Sequence, residues 1–410
     1  MNNSKGIALM MVISAIMLLS MIILEFVYGS NVNLRIAVNA KERLQAEYLA
    51  ESALNLMKLE LKLDQQAKSA LASSPIAQYV TGNLTEPLCQ QFPLSTGLLR
   101  SFFVGGQIPA EMLGAEGAEG AQEKDKSVTM FEAETATEFL DFQGDFDGSC
   151  EDEQAKMNLN VFANLDPAQE MLSGMNSYDI FKMMFVDFFK QDRFDKLFEG
   201  ISPDKIAEVV RNIADWTDKN DLMNDFGNIT RGSENSIYKN PDSPRPKNAK
   251  FLSLDEIHLV EGVDDFWFGP LEEMFTVYGD GKINICLAPD DLLWTLILTH
   301  AAQNQDIPVF NPNDEEKRQQ LITAVRFSCG GSKPQPSKIV ADLNAALGLV
   351  TVGENASNTT GWLSSMITTD SKYYTLKTSG QVGETVVNLK EVVDTSISDP
   401  KRWKVLYYKK

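Results

Sequence analysis

From Ile7 to Leu24 the chain runs for eighteen residues without a charge, with Ser14 and Ser20 as its polar positions. As a helix this run is roughly 27 Å long, close to the hydrocarbon thickness of a bilayer. A lone segment in lipid must satisfy its backbone polar groups internally, which leaves helix as its state. Glu25 closes the run. The six residues before it, MNNSKG, carry one positive charge at Lys5, which favours a cytoplasmic N-terminus. A secretory signal would have a shorter core and an A-x-A-like site after it; no such site follows here. Instead the helical period continues. Leu34, Val38, Leu44, Tyr48, Leu54, Met57 and Leu61 recur at helical spacing, with Lys41, Glu42, Arg43, Glu47 and Glu51 between them. One rod over 7–63 is expected, with 7–24 in the membrane and the bulk of the chain beyond it.

Charge narrows the partners. The chain has 57 acidic against 37 basic residues, a net charge of −20. Nothing basic is concentrated enough to neutralise nucleic-acid phosphates. The same excess speaks against the soluble part lying on an anionic membrane surface, while leaving carboxylates for calcium. Cys89, Cys150, Cys286 and Cys329 form no CxxC pair, and with only His258 and His300 a zinc site is not expected. Four cysteines allow three disulfide pairings. Cys89 with Cys150 and Cys286 with Cys329 is the one that keeps each bridge within one half of the chain; buried free thiols are the alternative.

The order of patterns gives the organisation. Residues 64–165 are loop-rich, with a Gly- and Glu-rich loop over 114–126, a strand and an uncertain segment over 128–142, and an acidic turn leading to an alternating strand at Met157, Leu159 and Val161. From 166 to 270 the period is helical. An aromatic stripe holds Phe181, Met184, Phe185, Phe188 and Phe189. A second helix has Ser202 as cap, Pro203 at its first position, and Ile206, Val209, Val210, Ile213 and Trp216 on one face. Ser253 and Glu256 form a capping box for a third helix that Gly262 ends. Over 271–410 strands return at FTVYGDGKINICLAP, with Gly279, Asp280 and Gly281 as a hairpin or bulge signal. Three more helices follow, then strands in YYTLKTSGQVGETVVNLKEVVD and KRWKVLYYKK. Strands thus bracket helices. The expected class is α+β: a long N-terminal helix and an αβ domain receiving an all-α insertion at 166–270.

No catalytic motif is present: no GxSxG, HExxH or P-loop. Carboxylate pairs carry no weight in so acidic a chain. The concentrated chemistry lies after the helix ending at Trp216. Asp215, Asp218, Asn220, Asp221, Asn224 and Asp225 crowd one loop, with Glu234 and Asn235 close behind. Many oxygen donors with neither thiol nor imidazole suit a hard cation. By composition alone, a capped helix end with a solvated acidic turn fits slightly better.

A short basic leader ending in Gly6, an apolar run and an amphipathic extension resemble the class III signal of the type IV pilin and pseudopilin superfamily. Most members carry glutamate at the fifth mature position. Here that position is Met11, as in the K-type minor pseudopilins of type II secretion systems. The stretch from Ile213 to Val263 resembles the same family: a DW-x-D helix end, an acidic loop with Gly-Ser-Glu-Asn, a Pro-rich connector, then SLDEI-x-L-V-x-GV. DEQAKMNLN and GDGKINICLAP match its two Lys-hydrophobic-Asn strands, with Ala155 and Cys286 in place of the expected Gly and Asn. The resemblance implies cleavage by a prepilin peptidase between Gly6 and Ile7 and N-methylation of Ile7. It implies an inner-membrane anchor with a periplasmic body, and partnership with the I- and J-type minor pseudopilins and other pseudopilus subunits. It implies a non-enzymatic role at the pseudopilus tip. It also implies calcium in the helical domain, for which Asp218, Asp221, Glu234 and Asn235 are the expected ligands and Asp215 a structural neighbour. A minor pilin of a type IV pilus shares the leader and rod. A membrane-anchored calcium-dependent enzyme is the reading from another class.

Overall fold

The structure is a computed structural model, described for residues 4–72, 86–105, 142–167, 176–227, 229–239, 244–304, 306–330, 334–349, 361–397 and 399–410. The loop expected over 114–126 and the segment over 128–141 lie outside these. The rod is a single helix, α1, over Ser4–Ala72, longer at both ends than its apolar period. Its first part, including Ile7, Met10, Leu18 and Leu24, is exposed along its length. It is the one helix, among the described residues, long and apolar enough to cross a membrane.

The upper part of α1 lies on a five-stranded sheet. Its strands are β1 (Leu94–Ser95), β2 (Asp145–Asp152), and three from the end of the chain. Between β2 and those three come helices α2 (Ser177–Phe189) and α3 (Pro203–Thr217), and a hairpin of β3 (Leu222–Asp225) and β4 (Ile229–Ser233). Helices α4 (Asp290–Ala302), α5 (Glu315–Ser328) and α6 (Pro336–Ala346) follow. The sheet is completed by β5 (Tyr373–Val382), β6 (Thr385–Asp394) and β7 (Lys404–Lys409). Its order is β1-β2-β5-β6-β7, every pair antiparallel. Gly383, at φ +59°, permits the tight turn that joins β5 to β6.

One stripe of α1 is buried on this sheet: Ala46, Ala50, Leu54, Met57 and Leu61. Against it stand Leu376, Val382, Val387, Leu389 and Val393. The small residues decide the distance of approach. A Cβ on Gly380 would sit 2.0 Å from the Ala46 carbonyl oxygen and 2.7 Å from the Ala50 nitrogen. The Thr378 hydroxyl donates to the Ala50 carbonyl at 3.0 Å, and Lys58 pairs with Glu391 at 2.6 Å. A disulfide joins Cys89 to Cys150 on β2, and a second joins Cys286 to Cys329 after α5.

A second, larger core, one cluster of described residues drawn from between Met157 and Ile367, includes buried faces of α2 to α6. Phe185, Phe188, Phe189 and Phe268 all meet Phe275 within it. The helical parts on either side of residue 270 therefore share one core.

Three local expectations are corrected. The alternation at Met157, Leu159 and Val161 makes a strand only over Met157–Asn158, then a 3-10 turn over Leu159–Asn164. The asparagines are the cause. Asn158 accepts from the Asn160 amide, and the Asn160 side chain pairs with the Val277 carbonyl and both backbone groups of Phe251, replacing a ladder. Nor do the segments around Gly279 and Gly281 pair as a hairpin. Phe275–Thr276 runs parallel to Met157–Asn158, and Ile283–Asn284 parallel to Ile367–Thr368. After Ser253 the expected helix is a 3-10 turn over Leu254–Leu259, with Glu256 accepting from the Leu252 amide.

Candidate metal centre

Helix α3 begins as its sequence dictates, with Ser202 capping and Pro203 at the first turn. Its apolar face, Ile206, Val209, Val210, Ile213 and Trp216, is buried. That burial fixes the direction of its last turn, where Asp215 and Asp218, three residues apart, share a face. Hairpin β3–β4 then folds back, turning at Gly227 with φ +77°, and delivers Glu234 to the same place. Oxygen atoms of Asp215, Asp218 and Glu234 lie within 4.8 Å of one another, and all three residues are buried.

Hydrogen bonds hold two of the three. The Tyr178 hydroxyl donates to Asp218 Oδ2 at 2.8 Å and to Asp215 Oδ1 at 3.4 Å. The Asn224 amide donates to Asp215 Oδ1 at 3.1 Å, and its side chain to Asp218 Oδ2 at 2.8 Å. The Asn220 amide reaches Asp218 Oδ1 at 3.1 Å. Lys182 is wholly buried, pairs with Asp179 at 2.8 Å, and donates to the Asn224 and Asp225 carbonyls at 3.0 Å. It therefore ties the hairpin to α2. Two buried oxygens are left over: Asp215 Oδ2 and Glu234 Oε1 have no hydrogen-bond partner. Buried acceptors without a donor are costly, and more so on charged groups.

Electrostatics gives the same picture. Burial pushes the Asp215 carboxyl up to about 7 and Asp218 to about 6. Burial, then the charges of Asp215, Asp218 and Asp221, pushes Glu234 to about 9. Three carboxylates that resist ionisation together, with two bare oxygens and no sulfur or imidazole, fit a hard divalent cation.

Of the four ligands expected from sequence, Asp218 and Glu234 are in the cluster. Asp221 is exposed and accepts from Asn248 at 2.8 Å, while its carbonyl accepts from the Glu234 amide at 3.3 Å. Asn235 is exposed too. Asp215, read from sequence as a structural neighbour, stands inside the group. Its spacing from Asp218 was the available signal. Tyr178 and Lys182 had none, because they arrive from a separate helix.

No protein-family model matches the chain, and no curated protein does. Among solved structures, the chain resembles the following one. It is a chain of the GspK-GspI-GspJ complex of the enterotoxigenic Escherichia coli type 2 secretion system, with 17% identity over 65% of this chain and 80% of that one, at a TM-score of 0.42.

Proposed function

We propose that the chain is a K-type minor pseudopilin of a type II secretion system, a non-enzymatic subunit that sits first in the periplasmic pseudopilus and helps initiate its assembly. One observation carries the reading. A single helix over Ser4–Ala72 is bare over its apolar part and seated on an antiparallel sheet over its upper part. That is the form of a subunit that anchors by its helix and offers its body to neighbours. The missing glutamate at Met11 fits the first position. A carboxylate there would have no neighbour ahead to supply a counter-charge in lipid, where lone charges are expensive. The I- and J-type minor pseudopilins are the partners this reading implies. The bulky helical body is tolerable at a tip and awkward inside a packed fibre. The carboxylate cluster serves as a calcium site that pins hairpin β3–β4 to α3.

Processing tests the reading directly. Gly6 stands immediately before Ile7, with Lys5 behind it. Mature protein should begin at Ile7, bearing an N-methyl group, and Gly6→Leu should leave a precursor beginning at Met1. Wild-type mature protein that still begins at Met1 by N-terminal sequencing would contradict it.

A further inference from the structure

The sheet has one face on α1 and one face away from it. On the outer face Lys377 of β5 stands directly opposite Lys390 of β6, and Lys390 directly opposite Lys409 of β7. Directly opposed side chains on neighbouring strands approach to about 5 Å, and like charges there repel. Three lysines in register are therefore an unfavourable arrangement for the fold on its own. Lysine on an edge strand guards against unwanted pairing, which accounts for Lys409 on β7. It does not account for Lys390 and Lys377, on interior strands. Lys377 is paired with Glu151. Lys390 and Lys409 are exposed and, among the described residues, make no ion pair.

The surroundings sharpen the point. A groove of about 450 Å³ runs along this face, and its charged lining is Lys377, Lys390, Lys409 and Lys410 against Asp147. In a chain of net charge −20 this concentration is local and opposite in sign to the whole. On its other flank Lys390 shares a crevice with Asp255, Glu272 and Glu273 of the helical body. Carboxylates of the chain itself thus meet the ladder from one side, and the groove is the side left open.

We propose that the lysine ladder Lys377–Lys390–Lys409 is the docking surface for an acidic segment of a partner protein. Such a segment supplies counter-charge on the open side, where the fold offers Asp147 alone. Nucleic acid is disfavoured by the charge of the rest of the chain. The membrane is out of reach. The ladder lies beside Thr378, which bonds to Ala50, twenty-six residues beyond Leu24. That is about 39 Å along the rod, several times the Debye length of about 8 Å. Only this last step rests on the anchored-subunit reading.

The test uses the full chain in detergent micelles with labelled hexaglutamate, and hexaglutamine as the neutral control. Hexaglutamate should bind, more weakly as salt rises, and hexaglutamine should not. Lys390→Glu with Lys409→Glu should weaken hexaglutamate binding at least tenfold, while Lys390→Arg with Lys409→Arg keeps it. The reversal replaces one opposed like-charge pair by another, since positions 390 and 409 face each other. A melting curve checks the fold, and Lys390→Gln with Lys409→Gln, which adds no charge, should also weaken hexaglutamate binding. No hexaglutamate binding to wild type, or equal binding to the reversed variant, would overturn the proposal. So would loss of binding to vesicles containing one third phosphatidylglycerol in the reversed variant alone, which would make the patch a lipid contact. Failure of the anchored reading would appear separately, as wild-type chain that does not insert into neutral phosphatidylcholine vesicles.

Discussion

Calcium should raise the melting temperature of the full chain, and the variant Asp215→Asn with Glu234→Gln should show none of that rise. A ligand that binds only the folded state at a hundredfold excess over its Kd stabilises by about 2.7 kcal/mol. For a chain of 410 residues that corresponds to a shift of about 3 °C. The two residues chosen are those with bare buried oxygens, Asp215 Oδ2 and Glu234 Oε1. Neutral amides in their place remove the repulsion as well as the ligands. In chelator, at pH 8, the variant should therefore melt above wild type. The pH dependence follows from the raised values near 7, 6 and 9 at Asp215, Asp218 and Glu234. Without the cation, the folded state holds these protons more tightly than the unfolded chain does. Its stability is then greatest at low pH within this window and falls as pH rises from about 4 to 9. With calcium, deprotonation is what binding requires, so the calcium increment should grow over the same window. Magnesium, which demands tight octahedral geometry, should substitute poorly. Identical melting in calcium and chelator at pH 8 would return the cluster to a protonated structural network.

Gly380→Val should release α1 from the sheet. The approach of helix and strand leaves no room for a side chain, because the nearest atoms are backbone of Ala46 and Ala50 and cannot rotate away. The loss should be about 3 kcal/mol, the upper part of what overpacking costs. Ser379→Ala, one residue away on the opposite face, should change stability by less than about 0.5 kcal/mol. Denaturant midpoints followed by near-ultraviolet circular dichroism measure both. A Gly380→Val chain that unfolds with wild type would mean that the helix does not seat where Gly380 lies.

How much of this was legible in the sequence depends on the range of the forces involved. The rod, α3 and the helices after residue 290 were readable, since each declares itself through a local period, with the Ser202 cap adding to it at α3. The ladder at the chain's end was readable for the same reason, as Tyr374, Leu376 and Thr378 alternate. The segments at 157–164 and 275–284 were not, because Asn158 and Asn160 bond to backbone groups of Phe251, Val277 and Tyr278, and Asn284 bonds to the Ser371 hydroxyl, while the alternation imitates a strand. At the candidate centre, the acidic loop was visible but its selection was not. Asp221 and Asn235 look the same as Asp218 and Glu234 in sequence. Only the turn at Gly227 and the return of β4 decide which carboxylates point inward. Tyr178 and Lys182 reach the loop through tertiary packing of α2 on α3.

The most direct test of the account is co-assembly. The processed chain, mixed with I- and J-type minor pseudopilins from one secretion system, should elute as a stable complex containing all three, with its mass read by light scattering. A folded chain that elutes alone in the presence of both would contradict the proposed place in the pseudopilus.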